Sequence, residues 1–197
     1  GEQAGVRVIR DLSRRPETAT FVAGKIATHF IDDVPPQSAI DTLAERWMET
    51  GGDLGEVART LVRIDESWDP DYRKFRTPQD WFVAVLRAVD AQEAGPNFAQ
   101  ILRQLRHPMW SPPSPKGYGD LRREWADPDA LMNRAELART IAERAGRGGR
   151  RPRDLRPLAT VMALEPGDPL PPMLADASIP ADERIALAFA GPAFQWR

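Results

Sequence analysis

Residues 40–62 read IDTLAERWMETGGDLGEVARTLV, and this stretch decides the fold. Ile40, Leu43, Ala44, Trp47 and Met48 recur at i, i+3, i+4, i+7 and i+8, which gathers them on one face of a helix. Gly51-Gly52 stops that helix, because glycine takes the left-handed conformation of a helix end at little cost. Asp53 follows as an N-cap whose carboxylate can accept from the orphan amides of the next turn, with Glu56 three residues on as in a capping box. Leu54, Val57, Ala58, Leu61 and Val62 then repeat the single-faced pattern.

The same grammar extends in both directions. Thr77-Pro78 is a second start signal, with proline where no amide hydrogen is needed. Phe82, Val85, Leu86 and Val89 supply the stripe behind it, predicting a helix that ends at Gly95-Pro96. Phe98, Ile101, Leu102 and Leu105 form the next stripe, terminated by His107-Pro108. Asp127-Pro128 opens a longer helix through Leu131, Met132, Ala135, Ala138, Ile141 and Ala142 to about Gly146. Towards the N-terminus, helices fit Val6 to Arg14 and Glu17 to Ile31. Shorter ones fit Leu158 to Leu164 and Asp182 to Ala190, separated by the proline-rich EPGDPLPPM of residues 165–173. No segment alternates with period 2, and no unit recurs at a solenoid spacing. The predicted fold is all-α: an irregular multi-helix bundle of short helices with proline-rich loops. The 19 prolines suit it, falling mostly at helix starts and in loops. Residues 1–152 are expected to form the main helical domain and residues 153–197 a short-helix lobe packed on it. Its core should include Phe21, Ile26, Leu43, Trp47, Leu61, Phe82, Leu86, Leu102, Leu131 and Ile141.

Composition narrows the function. The 197 residues carry 27 basic and 29 acidic groups, for a formal charge of −2, which argues against a generally basic nucleic-acid binder. No apolar run approaches the roughly 20 residues of a membrane span. With no cysteine there is no disulfide, thiolate metal site or cysteine nucleophile. No cofactor motif is present, and the opening from Gly1 shows no signal peptide, so the sequence by itself assigns no compartment.

Chemistry-bearing groups are sparse. His29, Asp32 and Asp33 stand at i, i+3 and i+4, a spacing that can face one metal ion, yet only His107 remains as a further histidine. The simpler assignment is a helix end with both aspartates just beyond it. Asp65, Glu66, Asp69 and Asp71 lack the glycine turn and distal glutamate of a calcium loop, and read as caps or partners of Arg73 and Arg76. Ser111 and Ser114 lie among prolines, outside any nucleophile-elbow sequence. No catalytic or metal-binding residue is therefore assigned.

Two irregular stretches remain. GRGGRRPRDLR at 146–156 holds five arginines against one aspartate, and Arg147, Arg150, Arg151 and Arg153 could contact phosphate or anionic lipid. Its glycines and like charges predict weak ordering between Gly146 and Pro152. PMWSPPSPKGYGD at 108–120 is the better candidate for recognition, through Met109, Trp110, Pro112, Pro113 and Tyr118. Such a loop can offer a ligand surface or clasp the helices; the clasp, with Trp110 and Tyr118 laid against the bundle, is the preferred expectation.

The order of motifs carries a resemblance. PETATFVAGKIATHF (16–30), TGGDLGEVARTLV (50–62), KFRTPQDWFVAVLRA (74–88), PMWSPPSPKGYGD (108–120) and AFAGPAFQWR (188–197) together resemble the C-terminal half of a bacterial family, domain of unknown function 1800. The likeness runs from about Ala4 to Gln195. The proline-rich loop with Gly117-Tyr118 is its most specific element; the family usually carries Gly-Trp there. Trp81-Phe82 stands where the family tends to have one aromatic residue. The resemblance lends no catalytic residue. It implies an absent N-terminal half as partner, a lean towards a periplasmic or secreted setting, and other envelope proteins as further partners. The expected function is a non-catalytic binding or assembly module acting with that half. One half of an enzyme, with its active site at the seam, is the alternative; anion or nucleic-acid contact through the arginine loop is a second. Lost cover should leave an apolar patch near the first two helices, where Val6, Val8, Ile9 and Leu12 exceed one stripe's needs, or a two-fold homodimer that hides it.

Overall fold

The computed structural model describes residues 1–147, 162, 164 and 166–197. The described residues form helices and turns, with one isolated antiparallel bridge between Phe75 and Trp196. The helices are α1 (Glu2–Ser13), α2 (Pro16–Phe30), α3 (Gln37–Thr50), α4 (Leu54–Leu61), α5 (Pro78–Ala88), α6 (Phe98–Gln104), α7 (Pro128–Arg147), α8 (Leu170–Ala175) and α9 (Ala181–Ala190). The chain divides into two compact units, Gly1–Lys74 and Phe75–Arg197. The reason is that α9 lies along α7, so the C-terminal residues share one core with α5, α6 and α7.

In the first unit, α2 packs on α3 through a stripe of small residues. Ala19, Ala23 and Ala27 are buried against Ala39, Leu43 and Trp47, with Val57 of α4 completing the cluster. Alanines at i, i+4 and i+8 let two helices approach closely, and that choice of face turns Phe21 outward. Phe21 is 65% exposed, with the Lys25 ammonium 5.6 Å from its ring centroid, so its expected core position is corrected. The α3–α4 junction follows the sequence expectation. Gly51 adopts φ +66°, and the Asp53 carboxylate accepts from the amides of Gly55 at 2.8 Å and Glu56 at 3.2 Å. Trp47 donates its indole N–H to the Ser13 carbonyl at 2.9 Å, fixing the end of α1.

In the second unit, Trp81, Phe82 and Val85 of α5 meet Leu102 and Leu105 of α6, Ala138 and Ala142 of α7, and Ile185 and Phe189 of α9. Two boundaries differ from expectation. Helix α5 ends at Ala88 because Asp90 takes φ +53° and the Ala91 amide reaches back to the Leu86 carbonyl at 2.9 Å, a left-handed stop without glycine. Within the stretch expected to be irregular, α8 begins at Leu170; its prolines 171 and 172 lie in the first turn, where amide donors have no partner to lose, and Asp168 accepts from the Leu170 amide at 2.8 Å. The buried stripe of α7 runs through Ala130, Arg134, Ala138, Ala142 and Ala145, which leaves Leu131 39% exposed. The expected core position of Leu131 is corrected accordingly: an arginine occupies the centre of the face. The helix expected at 158–164 and most of the arginine-rich loop, including Arg150, Arg151 and Arg153, lie outside the described residues.

Candidate functional site

The proline-rich loop begins where α6 ends. Arg106 takes φ +61° and the His107 amide donates to the Leu102 carbonyl at 2.8 Å, a second left-handed stop on a non-glycine residue. Pro108, Met109, Trp110 and Ser111 then turn the chain. In a β-turn the first carbonyl would accept from the fourth amide; here the Tyr118 hydroxyl is inserted between them, donating to the Pro108 carbonyl and accepting from the Ser111 amide at 3.1 Å. Gly117, at φ +93°, makes the reversal that brings Tyr118 back to this position.

Tyr118 is in turn held by aromatic packing. Its ring meets His107 edge-on at 4.4 Å, and His107 lies 4.9 Å from Trp125, whose indole donates to the Gly119 carbonyl at 3.1 Å. His107 is buried with its Nδ1 unpartnered among the described residues, and burial lowers its pKa, favouring the neutral ring. Glu124 accepts from the Leu121 amide at 3.0 Å, which holds its carboxyl below the usual range.

The clasp expectation is therefore half corrected. Tyr118 clasps the loop, but Trp110 is 93% exposed at its apex, on a backbone at φ +58°. A bulky residue seldom adopts that conformation, and the cinching hydroxyl holds it there. Met109, Pro112 and Pro113 are exposed beside it.

A second arrangement was not foreseen from the sequence. Arg134 is 1% exposed and has no carboxylate partner among the described residues. Its guanidinium donates to the Gln195 side-chain oxygen at 2.7 Å and the Arg76 carbonyl at 2.8 Å, with the Phe75 ring at 4.8 Å. Burial, aided by the neighbouring Arg76 charge, pulls its pKa down to about 10. Gln195 donates to the Phe189 carbonyl at 3.1 Å, and Arg76 donates to the Phe194 carbonyl at 2.7 Å. These contacts bind the C-terminal residues into the second unit.

The remaining sequence candidates are occupied structurally. Asp32 accepts from the amides of Val34 at 2.8 Å and Arg73 at 3.2 Å, Asp33 meets the Lys74 ammonium at 2.5 Å, and His29 packs edge-on against Phe30. Glu66 accepts from Ser38, and Asp69 from the Asp71 amide at 2.9 Å. Among the described residues no three histidine or carboxylate groups are placed to hold a metal ion, and no helix is long and apolar enough to cross a membrane. Arg147 closes α7, and the other arginines of the anion-contact expectation lie outside the described residues.

No curated protein and no solved structure matches the chain. A family model does, over residues 1–196, under the description "Protein of unknown function (DUF1800)". The loop from Pro108 to Asp120 and the closing AFAGPAFQWR thus have their place in a pattern spanning the chain, which belongs to the DUF1800 family.

Proposed function

We propose that this chain is a non-catalytic binding or assembly module that acts with the N-terminal half of its family domain. Helix α1 carries the proposal. It has 12 residues, none of them buried, and Val6, Val8, Ile9 and Leu12 are all exposed. At 100° per residue these four span an arc of about 160°, the breadth of a helix built to face a core. A helix of this length is marginal in water without tertiary cover, so a partner on that face stabilises it. Trp110, 93% exposed at the loop apex, offers a separate anchor of the kind that dominates protein interfaces, here towards another envelope protein.

The ionisable groups weigh in the same direction. Burial displaces Arg134, Arg76 and His107; rings, backbone carbonyls and the Gln195 amide surround them, and the one carboxylate that acts on all three, Asp80, is itself paired with Arg197, which supports packing roles for these groups.

The test mixes the chain with a separately produced N-terminal half of the family domain and follows sedimentation velocity. A heterodimer is expected, abolished by Val8→Asp with Ile9→Asp, while the melting temperature of the variant alone stays unchanged. No association at tens of micromolar, or association indifferent to the two aspartates, overturns the proposal. Self-association through the same face would instead identify a homodimer.

A further inference from the structure

A cleft of about 560 Å³ opens between α6 and α7. Apart from Thr140, whose hydroxyl donates to the Glu136 carbonyl at 3.0 Å, six polar side chains line it: Asn97, Gln100, Gln104, Asn133, Glu136 and Arg144. The protein has nine side-chain amides, two asparagines and seven glutamines, and four of the nine, with both asparagines, stand in this one cleft. A chance scatter over 197 positions would place at most one there. No hydrogen bond or ion pair joins any of the six side chains to another described residue, so among the described residues their capacity is unspent.

The chemistry of that capacity is specific. A carboxamide offers a donor and an acceptor side by side, the complement of a peptide unit. Gln100 and Gln104 on α6, and Glu136, Thr140 and Arg144 on α7, step by four residues. That is a rise of about 6 Å per step on a helix. An extended chain repeats its outward N–H and C=O groups every two residues, or about 6.7 Å. Two rows at nearly the same pitch can therefore flank one extended backbone. Below them Ile101, Leu105 and Leu137 form an aliphatic floor, with no aromatic platform of the sort a sugar ring stacks on.

The cleft also has an outlet. At Ile101, Leu137 and Arg144, which border both spaces, it meets a second cavity of about 370 Å³ walled by Phe82, Leu86, Val89 and Ile141. An apolar cavity beside convergent polar groups is the usual form of a specific binding site. Arg144 stands at the junction, where it can receive a carboxylate adjoining whatever side chain enters the cavity.

We propose that the α6–α7 cleft binds an extended polypeptide segment. The amides clamp its backbone, an aliphatic side chain fills the cavity walled by Phe82 and Leu86, and a neighbouring carboxylate pairs with Arg144. The proposal stands on elements other than α1, so it can fail while the module reading holds, and the reverse.

The probes are two random peptide libraries panned against the full chain, one displayed with free C-termini and one displayed internally. Enrichment of an aliphatic residue next to a carboxylate is expected. Enrichment only in the first library would make that group the terminal carboxylate, and enrichment in both would make it an acidic side chain. For a selected peptide, Gln104→Ala with Asn133→Ala should weaken binding about tenfold, as should Arg144→Ala. Ala94→Trp, at the exposed mouth of the apolar cavity, should block it. All are surface changes, and unchanged circular dichroism and melting temperature would show the fold intact. Failure of both libraries to enrich, or selected peptides that bind these variants as well as the original, would overturn the proposal, as would binding confined to oligosaccharides on an array.

Discussion

The hydroxyl of Tyr118 accepts from the amide of Ser111 at 3.1 Å while donating to the carbonyl of Pro108, so one side chain replaces the hydrogen bond of a turn. A hydroxyl can do both, whereas an indole at this position would donate but not accept. Tyr118→Phe keeps the ring stack on His107 and removes both bonds. It should cost about 1–3 kcal/mol, and hydrogen exchange at Ser111 should speed up far more than at the core amides of α5. Equal protection in both proteins would mean the hydroxyl does not hold the loop.

Trp110→Ala should leave global stability nearly untouched. The indole is 93% exposed, so little packing is lost, and a change within about 0.5 kcal/mol is expected from urea midpoints. Relief of the left-handed backbone at φ +58° would come only from Trp110→Gly, which should stabilise slightly by comparison with alanine. A clear fall in melting temperature for Trp110→Ala would restore the clasp.

His107 should confer a pH dependence. Its folded pKa lies below the ordinary value because burial penalises the charged ring. Below about pH 6.5 the unfolded chain binds a proton at this position that the native chain resists, so stability falls as pH drops through that value and goes on falling until the folded pKa is reached. His107→Phe preserves the contacts with Tyr118 and Trp125 and removes the proton. Urea midpoints from pH 7.5 to 5 should decline more steeply for the original than for this variant. Parallel curves would show that the histidine is charged, or solvated, in the native state. Carboxylates held low by hydrogen bonds, such as Glu66 and Glu124, act in a separate window at lower pH.

The sequence made some of this legible and hid the rest for physical reasons. Asp53 and Thr77 announce helix starts because their side chains bond backbone amides within three residues, a local event that spacing reveals. Periodicity points to the wrong faces of α2 and α7, where a non-obvious residue takes the buried position: alanines in α2, and an arginine in α7 whose partners lie 58 and 61 positions away. The division at Lys74 leaves no local mark either, since it follows from which helices share a core. Neutral amides form no catalytic motif, so Asn97, Gln100, Gln104 and Asn133 become conspicuous only once α6 and α7 bring them together.

Arg134 offers the sharpest test of how the second unit is closed. A buried guanidinium with no carboxylate bonded to it among the described residues is costly, and four groups offset that cost: the Gln195 oxygen, the Arg76 carbonyl and the faces of Phe75 and Trp81. Arg134→Met has similar reach and no charge, so it relieves the desolvation but orphans two acceptors. The orphaned acceptors should prevail, with a net loss of about 2–4 kcal/mol. Gln195→Leu should also destabilise, because its amide additionally serves the Phe189 carbonyl. The two changes share one bond, so together they should cost less than the sum of the singles, by about 0.5–3 kcal/mol in a double-mutant cycle. Strict additivity would mean that the Arg134–Gln195 contact contributes nothing, and that the C-terminal residues are held by their other contacts, such as the Phe75–Trp196 bridge, the Arg76–Phe194 hydrogen bond and the packing of Phe189 and Phe194.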